Sequence, residues 1–242
     1  MLMKFLRTVI LAIVGLAAAM PVFSRTFNDE LQNRPYADMR KWHLGFSVGM
    51  YTSDLLMTHN GFITDNGQQW RLEQPSYQPG FCVNGLFDLR MNNYFSLRFS
   101  PGLYFGSRGV EMREIQGELK DKQTVKSTFI VAPIDVKFAA MRYRNSRPYV
   151  TAGVMPAFDV AKKRSDDILQ LKSTDCYLTV GFGCDFYLPY FKFIPEIKFC
   201  FGLSDILVHD RPDLTDNPDK FKYTQSLKKA TSNMIVLTFY FE

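Results

Sequence analysis

Histidine is scarce in this 242-residue chain: His43, His59 and His209 are the only three, and no two stand at the HxxxH spacing that places two imidazoles on one metal. The four cysteines, Cys82, Cys176, Cys184 and Cys200, form no CxxC pair, so a zinc or iron–sulfur site has no ligand set. Nucleophilic chemistry would have to be built from Ser53-Asp54, Ser165-Asp166, Ser204-Asp205, His59 or the pair His209-Asp210. Short Ser-Asp pairs are ordinary turn chemistry, and a single loop histidine is ordinarily solvated, so no catalytic residue is assigned. Asp213, Asp216 and Asp219 have a spacing that calcium could use, but the glycine and bidentate glutamate of a calcium loop are missing. No metal and no cofactor is expected. The segment Asp205 to Ala230 carries five acids and five bases and is read as a solvated or partner-binding loop, with Arg211, Asp213, Asp216, Lys220 and Lys222 as candidate contact residues.

The rest of the chain is organised by alternation of period two. From Trp42 to Tyr51 one line reads Trp42, Leu44, Phe46, Val48, Met50, and the other His43, Gly45, Ser47, Gly49, Tyr51. The same pattern returns at Phe81 to Arg90, Tyr94 to Phe105, Phe129 to Met141, Pro148 to Phe158, Cys176 to Leu188, Phe193 to Ser204 and Thr231 to Phe241. Eight strands follow, most of them longer than usual. Short turns (Met91 to Asn93, Arg142 to Arg147, Pro189 to Lys192) alternate with long polar connections (Thr52 to Gly80, Gly106 to Thr128, Asp159 to Asp175, Asp205 to Ala230). This predicts an all-β, antiparallel, up-and-down barrel with every long loop at one end.

Charge decides which line faces out. The apolar line runs to 43 positions without a single charged residue, where a chain with 22% charged residues would place about nine at random. The opposite line carries Asp88, Arg90, Arg98, Asp135, Lys137, Asp185, Glu196 and Lys198 among small residues such as Ser47, Gly181 and Gly183. Four acids facing four bases suit a narrow interior with a paired polar network, and an outward apolar band then means lipid. Aromatic residues near strand ends, among them Trp42, Tyr94, Phe105, Phe158, Tyr187, Phe193, Phe239 and Phe241, suit interfacial girdles. The soluble alternative is a lipocalin-like barrel with the apolar line inward, which would call for a Gly-x-Trp near the first strand and a helix after the last. An eight-stranded interior is normally filled by its own side chains, so a structural network is favoured over a pore.

Residues 1–24 read as a secretory signal: Lys4 and Arg7, then an apolar stretch from Val9 to Ala19, with a cut after Ser24. Residues 25–41 form a polar periplasmic leader, and 42–242 the barrel. No other apolar run approaches the length of a membrane-spanning helix. The mature charge of about +3 is too small to argue for nucleic acid. No cysteine opens the mature chain, and the four cysteines form no tight cluster; whether Cys82 and Cys200 or any others pair stays open.

The stretch Tyr177-Leu178-Thr179-Val180-Gly181-Phe182-Gly183-Cys184-Asp185-Phe186-Tyr187-Leu188-Pro189, running on into Phe193-Ile194-Pro195-Glu196-Ile197-Lys198-Phe199-Cys200-Phe201-Gly202-Leu203, resembles the PorT outer-membrane β-barrel family. The segment Met234 to Glu242 resembles it as well. That resemblance implies an integral outer-membrane component of the type IX secretion system, which exports proteins with C-terminal sorting domains and in gliding bacteria supports motility. It implies outer-membrane lipid and other outer-membrane proteins of that system as partners, with no nucleic acid and no small-molecule substrate. A small barrel used for adhesion, or one that modifies lipids, would share the strand pattern.

Overall fold

The fold is a computed structural model describing residues 32–59, 70–73, 78–114, 119–161, 171–208 and 227–242. Apart from a 3-10 turn at Ala37–Met39, its regular structure is all β: β1 (Trp42–His59), β2 (Trp70–Glu73), β3 (Gly80–Arg90), β4 (Phe95–Phe99), β5 (Gly102–Glu114), β6 (Leu119–Val131), β7 (Ile134–Ala139), β8 (Ser146–Asp159), β9 (Thr174–Tyr187), β10 (Lys192–Gly202) and β11 (Leu227–Phe241). Every ladder between them is antiparallel, and β1 pairs with both β3 and β11 while β8 pairs with β9. The sheet therefore closes into a ring.

Eight positions make the ring, because two of them are interrupted strands. β4 and β5 are separated by Ser100-Pro101, and β6 and β7 by Ala132-Pro133. Proline has no N–H to give to a ladder, so each break falls where one would be demanded. The neighbouring amides are still satisfied across the breaks: Ser100 donates to the Pro133 carbonyl at 3.2 Å, Ala132 to that of Pro156 at 3.1 Å, and Gly85 to that of Pro101 at 2.8 Å. β2 is an addition outside the ring, paired to β5 over Glu111–Glu114.

The long connections read as loops are partly strand. β1 runs on to His59 against β11 starting at Leu227, and β5 and β6 form a ladder from Gly102↔Val131 out to Arg113↔Leu119. β6 meets β8 only at Phe129–Val131, so most of the β5–β6 hairpin stands beyond the ring.

The two lines of side chains sort as the alternation demands. None of the outward positions is buried, and Trp42, Phe46, Phe81, Phe182 and Leu203 are more than half or nearly half exposed. The inward line holds two apolar clusters. One, toward the long connections, joins Tyr51, Tyr104, Met155, Tyr177, Cys200 and Met234; the other, toward the short turns, joins Leu86, Ala139, Tyr149, Ile194 and Tyr240. The interior is thus not restricted to small and charged residues. Glycines opposite the tyrosines make the room: a Cβ on Gly80 or Gly106 would run into the Tyr51 ring, and one on Gly183 into Tyr149.

Candidate functional site: the charged interior and its closed turn end

The charged side chains lie between the two apolar clusters and past the second of them toward the short turns. Register puts Asp88 opposite Arg98 and Arg98 opposite Asp135, so three charges from β3, β4 and β7 stand abreast. Arg98 is fully buried and spans the ring: its Nη2 lies 3.2 Å from Asp88 Oδ2, and its Nη1 donates to Glu196 Oε2 on β10 at 2.8 Å. The Tyr149 hydroxyl donates to the same Glu196 oxygen at 2.7 Å, and the guanidinium lies against the rings of Tyr149 and Tyr240 at 5.1 and 4.9 Å. Lys198 donates to Asp135 Oδ2 at 2.5 Å and lies 3.3 Å from Glu196; Thr179 completes Asp135 from the other side at 2.6 Å. Lys137 donates to both oxygens of Asp185, 2.8 Å each. Seven of the eight inward charges are thus buried and paired, five in one hydrogen-bonded network and Lys137 with Asp185 as a separate pair whose ammonium lies 4.1 Å from the Tyr149 ring centre. A buried charge left alone would cost several kcal/mol, and pairing of this quality offsets that penalty.

Arg90 does not join them. It lies at the turn end, where its Nη1 donates to the Asp38 carbonyl and its Nη2 to Asn93 Oδ1 at 2.5 Å. Asp38 belongs to the leader, on the 3-10 turn Ala37–Met39, and its carboxylate accepts from the Tyr187 hydroxyl at 2.5 Å, with Arg147 at 3.5 Å and Arg142 at 3.8 Å. Asn33 bonds to Asn145 and to the Tyr187 carbonyl, 2.8 and 3.0 Å, and Arg142 stacks 3.6 Å from the Tyr187 ring centre while donating to the carbonyls of Asn33 and Arg34. The described part of the leader, residues 32–41, is therefore strapped across the mouth of the ring. Tyr187 is fully buried under it, not part of an interfacial girdle.

Beside the strap Glu242 accepts from Lys192 through both oxygens, 2.9 and 2.8 Å, and its Oε1 lies 2.6 Å from His43 Nδ1. Burial alone would raise the Glu242 carboxyl, but the His43 hydrogen bond and the Lys192 ammonium outweigh it and hold the group well below the usual carboxylate range. A polar cleft of about 30 Å³ is left between Asp38, His43, Arg90, Lys137, Asp185 and Lys192, room for ordered water and little more.

Among the described residues, those weighed for chemistry are not gathered. Ser53 is buried within β1 beside half-buried Asp54. Asp205 caps a turn, accepting from the amides of Leu207 and Ala230 at 3.2 and 3.1 Å. His59 ends β1. Ser165-Asp166, His209-Asp210 and the candidate contact residues Arg211, Asp213, Asp216, Lys220 and Lys222 lie outside the described residues, as do residues 1–24, read as a secretory signal. All four cysteines are free, Cys82 and Cys200 buried in the interior. Among the described residues no three acidic, histidine or cysteine side chains come together as a metal set.

A closed antiparallel ring with an apolar exterior and ion-paired interior is the architecture of outer-membrane barrels. The model for the outer membrane protein beta-barrel domain matches residues 31–208, and the chain belongs to that family. It is an outer-membrane protein. No curated protein matches it. Among solved structures it is similar to the outer membrane protein OprG from Pseudomonas aeruginosa, with 13% identity over 83% of this chain and 92% of that one and a TM-score of 0.44. It is also similar to Ail, the attachment invasion locus protein of Yersinia pestis, in complex with the heparin analogue sucrose octasulfate: 13% identity, 84% and 99% coverage, TM-score 0.36.

Proposed function

We propose that this protein is an eight-stranded, up-and-down transmembrane barrel with its long connections outside the cell and its short turns in the periplasm, and that it is a non-catalytic component of the type IX secretion apparatus. It acts by assembly or by contact with other outer-membrane proteins of that apparatus, not as the conduit. The observation that carries this reading is the filled interior. Arg98, Tyr177, Ile194 and Glu196 are all at most 1% exposed, and the leader lies across one mouth, so a folded cargo has no path through so narrow a ring. What such a barrel offers is surface. The word secretion comes from the resemblance of Tyr177 to Leu203 and Met234 to Glu242 to the PorT family.

Deletion of the gene tests this. Proteins with C-terminal sorting domains are expected to stay unprocessed in the cell envelope while lipid composition and surface attachment remain unchanged. The β5–β6 hairpin, standing beyond the ring, is what an adhesin would present, so adhesion is the second reading. Loss of attachment with normal export would establish that reading, altered lipids would point to a lipid-modifying barrel, and normal export by itself refutes the secretion role.

A further inference from the structure

The net positive charge of the chain is concentrated at the turn end. Residues 32–41, 90–93, 141–147, 188–192 and Glu242 hold eight cations and two acids, whereas the other 215 residues hold 21 cations and 22 acids. Both acids at this end are engaged internally, Glu242 by Lys192 and His43, Asp38 by Arg142, Arg147 and Tyr187. Arg40 and Lys41 stand exposed beside them. The surface between the charges is large and apolar: Tyr36 is 73% exposed, Met39 69%, Met141 75% and Tyr190 92%. Tyrosine, methionine and arginine are the residue types enriched where proteins dock, and a charge excess of one sign steers and selects a partner of the other.

Position separates this face from the lipid belt. Asp38 reaches inward to Tyr187 and the rim arginines and Ala37 is buried, so the strap presents Tyr36 and Met39 away from the ring's interior, on the cap that closes its mouth. Lipid surrounds the wall of a barrel, where Phe99 and Leu237 lie, and does not cover its mouth. We infer that the turn end is a docking face for an acidic periplasmic polypeptide, anchored on Tyr36, Met39 and Tyr190 and selected by Arg40 and Lys41. The inference rests on the orientation proposed above, and it names the face and the partner chemistry through which such an accessory barrel works.

The test places the photo-crosslinker p-benzoylphenylalanine at Tyr36, at Tyr190 and, as a wall control, at Leu237, in cells carrying the full chain. Protein adducts are expected at Tyr36 and Tyr190 and not at Leu237, with a net acidic contact peptide by mass spectrometry. Their yield should fall about tenfold in R40E/K41E, while heat-modifiable gel mobility shows the barrel still assembled. If charge reversal prevents assembly, R40Q/K41Q decides the same question. Absence of a protein adduct at Tyr36, a neutral or basic contact peptide, or an adduct indifferent to charge overturns the inference. So does assembly in phosphatidylcholine vesicles that depends on added phosphatidylglycerol and loses that dependence in R40E/K41E, since the cations would then belong to lipid headgroups. Normal export in the deletion strain with the charge-dependent adduct still formed removes the secretion role and leaves the docking face. Labelling of Asn92→Cys by an impermeant thiol reagent on intact cells, in a background without the native cysteines, reverses the orientation and removes the docking face with it.

Discussion

Replacing Arg98 by methionine removes a side chain that touches acids on two sides of the ring. Asp88 loses its 3.2 and 3.3 Å contacts, and Glu196 loses its 2.8 Å partner but keeps Tyr149 at 2.7 Å and Lys198 at 3.3 Å. Breaking a buried ion pair from one side costs about 3–5 kcal/mol, because the remaining charge is left in a medium that cannot solvate it. Asp88 is the worse stranded of the two. With a urea slope of roughly 2 kcal/mol per molar, R98M should move the unfolding midpoint of the refolded barrel down by about 2 M. The triple variant D88N/R98M/E196Q keeps the volumes and removes the stranded charges, so it should recover most of that loss. Tryptophan fluorescence and heat-modifiable mobility follow the transition in lipid vesicles. An R98M variant within about 1 kcal/mol of the parent, or a triple variant no more stable than R98M, would refute the claim that the interior is held by coupled ion pairs.

Two more predictions follow from the same geometry. Phe99→Lys and Leu237→Lys, on the exposed apolar wall, should block membrane assembly at a cost of about 2–4 kcal/mol each, whereas Ser96→Lys, on the inward line beside Asp88, should be milder; equal tolerance in the mobility assay would sink the lipid-facing assignment. Because the folded Glu242 carboxyl titrates below its unfolded value, its stabilisation is complete above the unfolded pKa of about 4.3 and is lost as pH falls toward the folded one. Stability of the parent should therefore drop from about pH 5 downward, and Glu242→Gln should flatten that part of the profile; identical acid limbs in the two proteins would show that the contact with His43 and Lys192 contributes nothing.

The wall was legible in the sequence because lipid enforces a rule on every second residue. A charge on that line is expensive, so the line from Trp42 to Met50 or from Ile130 to Ala140 carries none, and the parity fixes both faces at once. Beyond the ring the rule lapses. Ser107 to Glu114 alternates nothing in particular, yet the backbone ladder to β6 continues there, which is why those residues read as loop. Tyr187 shows the same logic in reverse: it shares the parity of Gly181, Gly183 and Asp185, so its line pointed inward, and only its place near a strand end suggested a girdle. The pairings across the ring are another matter. Arg98 and Glu196 are 98 residues apart, on strands that are not neighbours, and no periodicity names the partner of a side chain that reaches through the interior. Asp38 had one readable sign, a leader acid opposite short turns rich in arginine, Arg142, Arg144 and Arg147. That sign and the docking face share one setting: the interior acids take up Arg98, Lys137 and Lys198, the rim arginines lie at the turn end, and there one leader carboxylate ties down the rim while Arg40 and Lys41 are left facing outward.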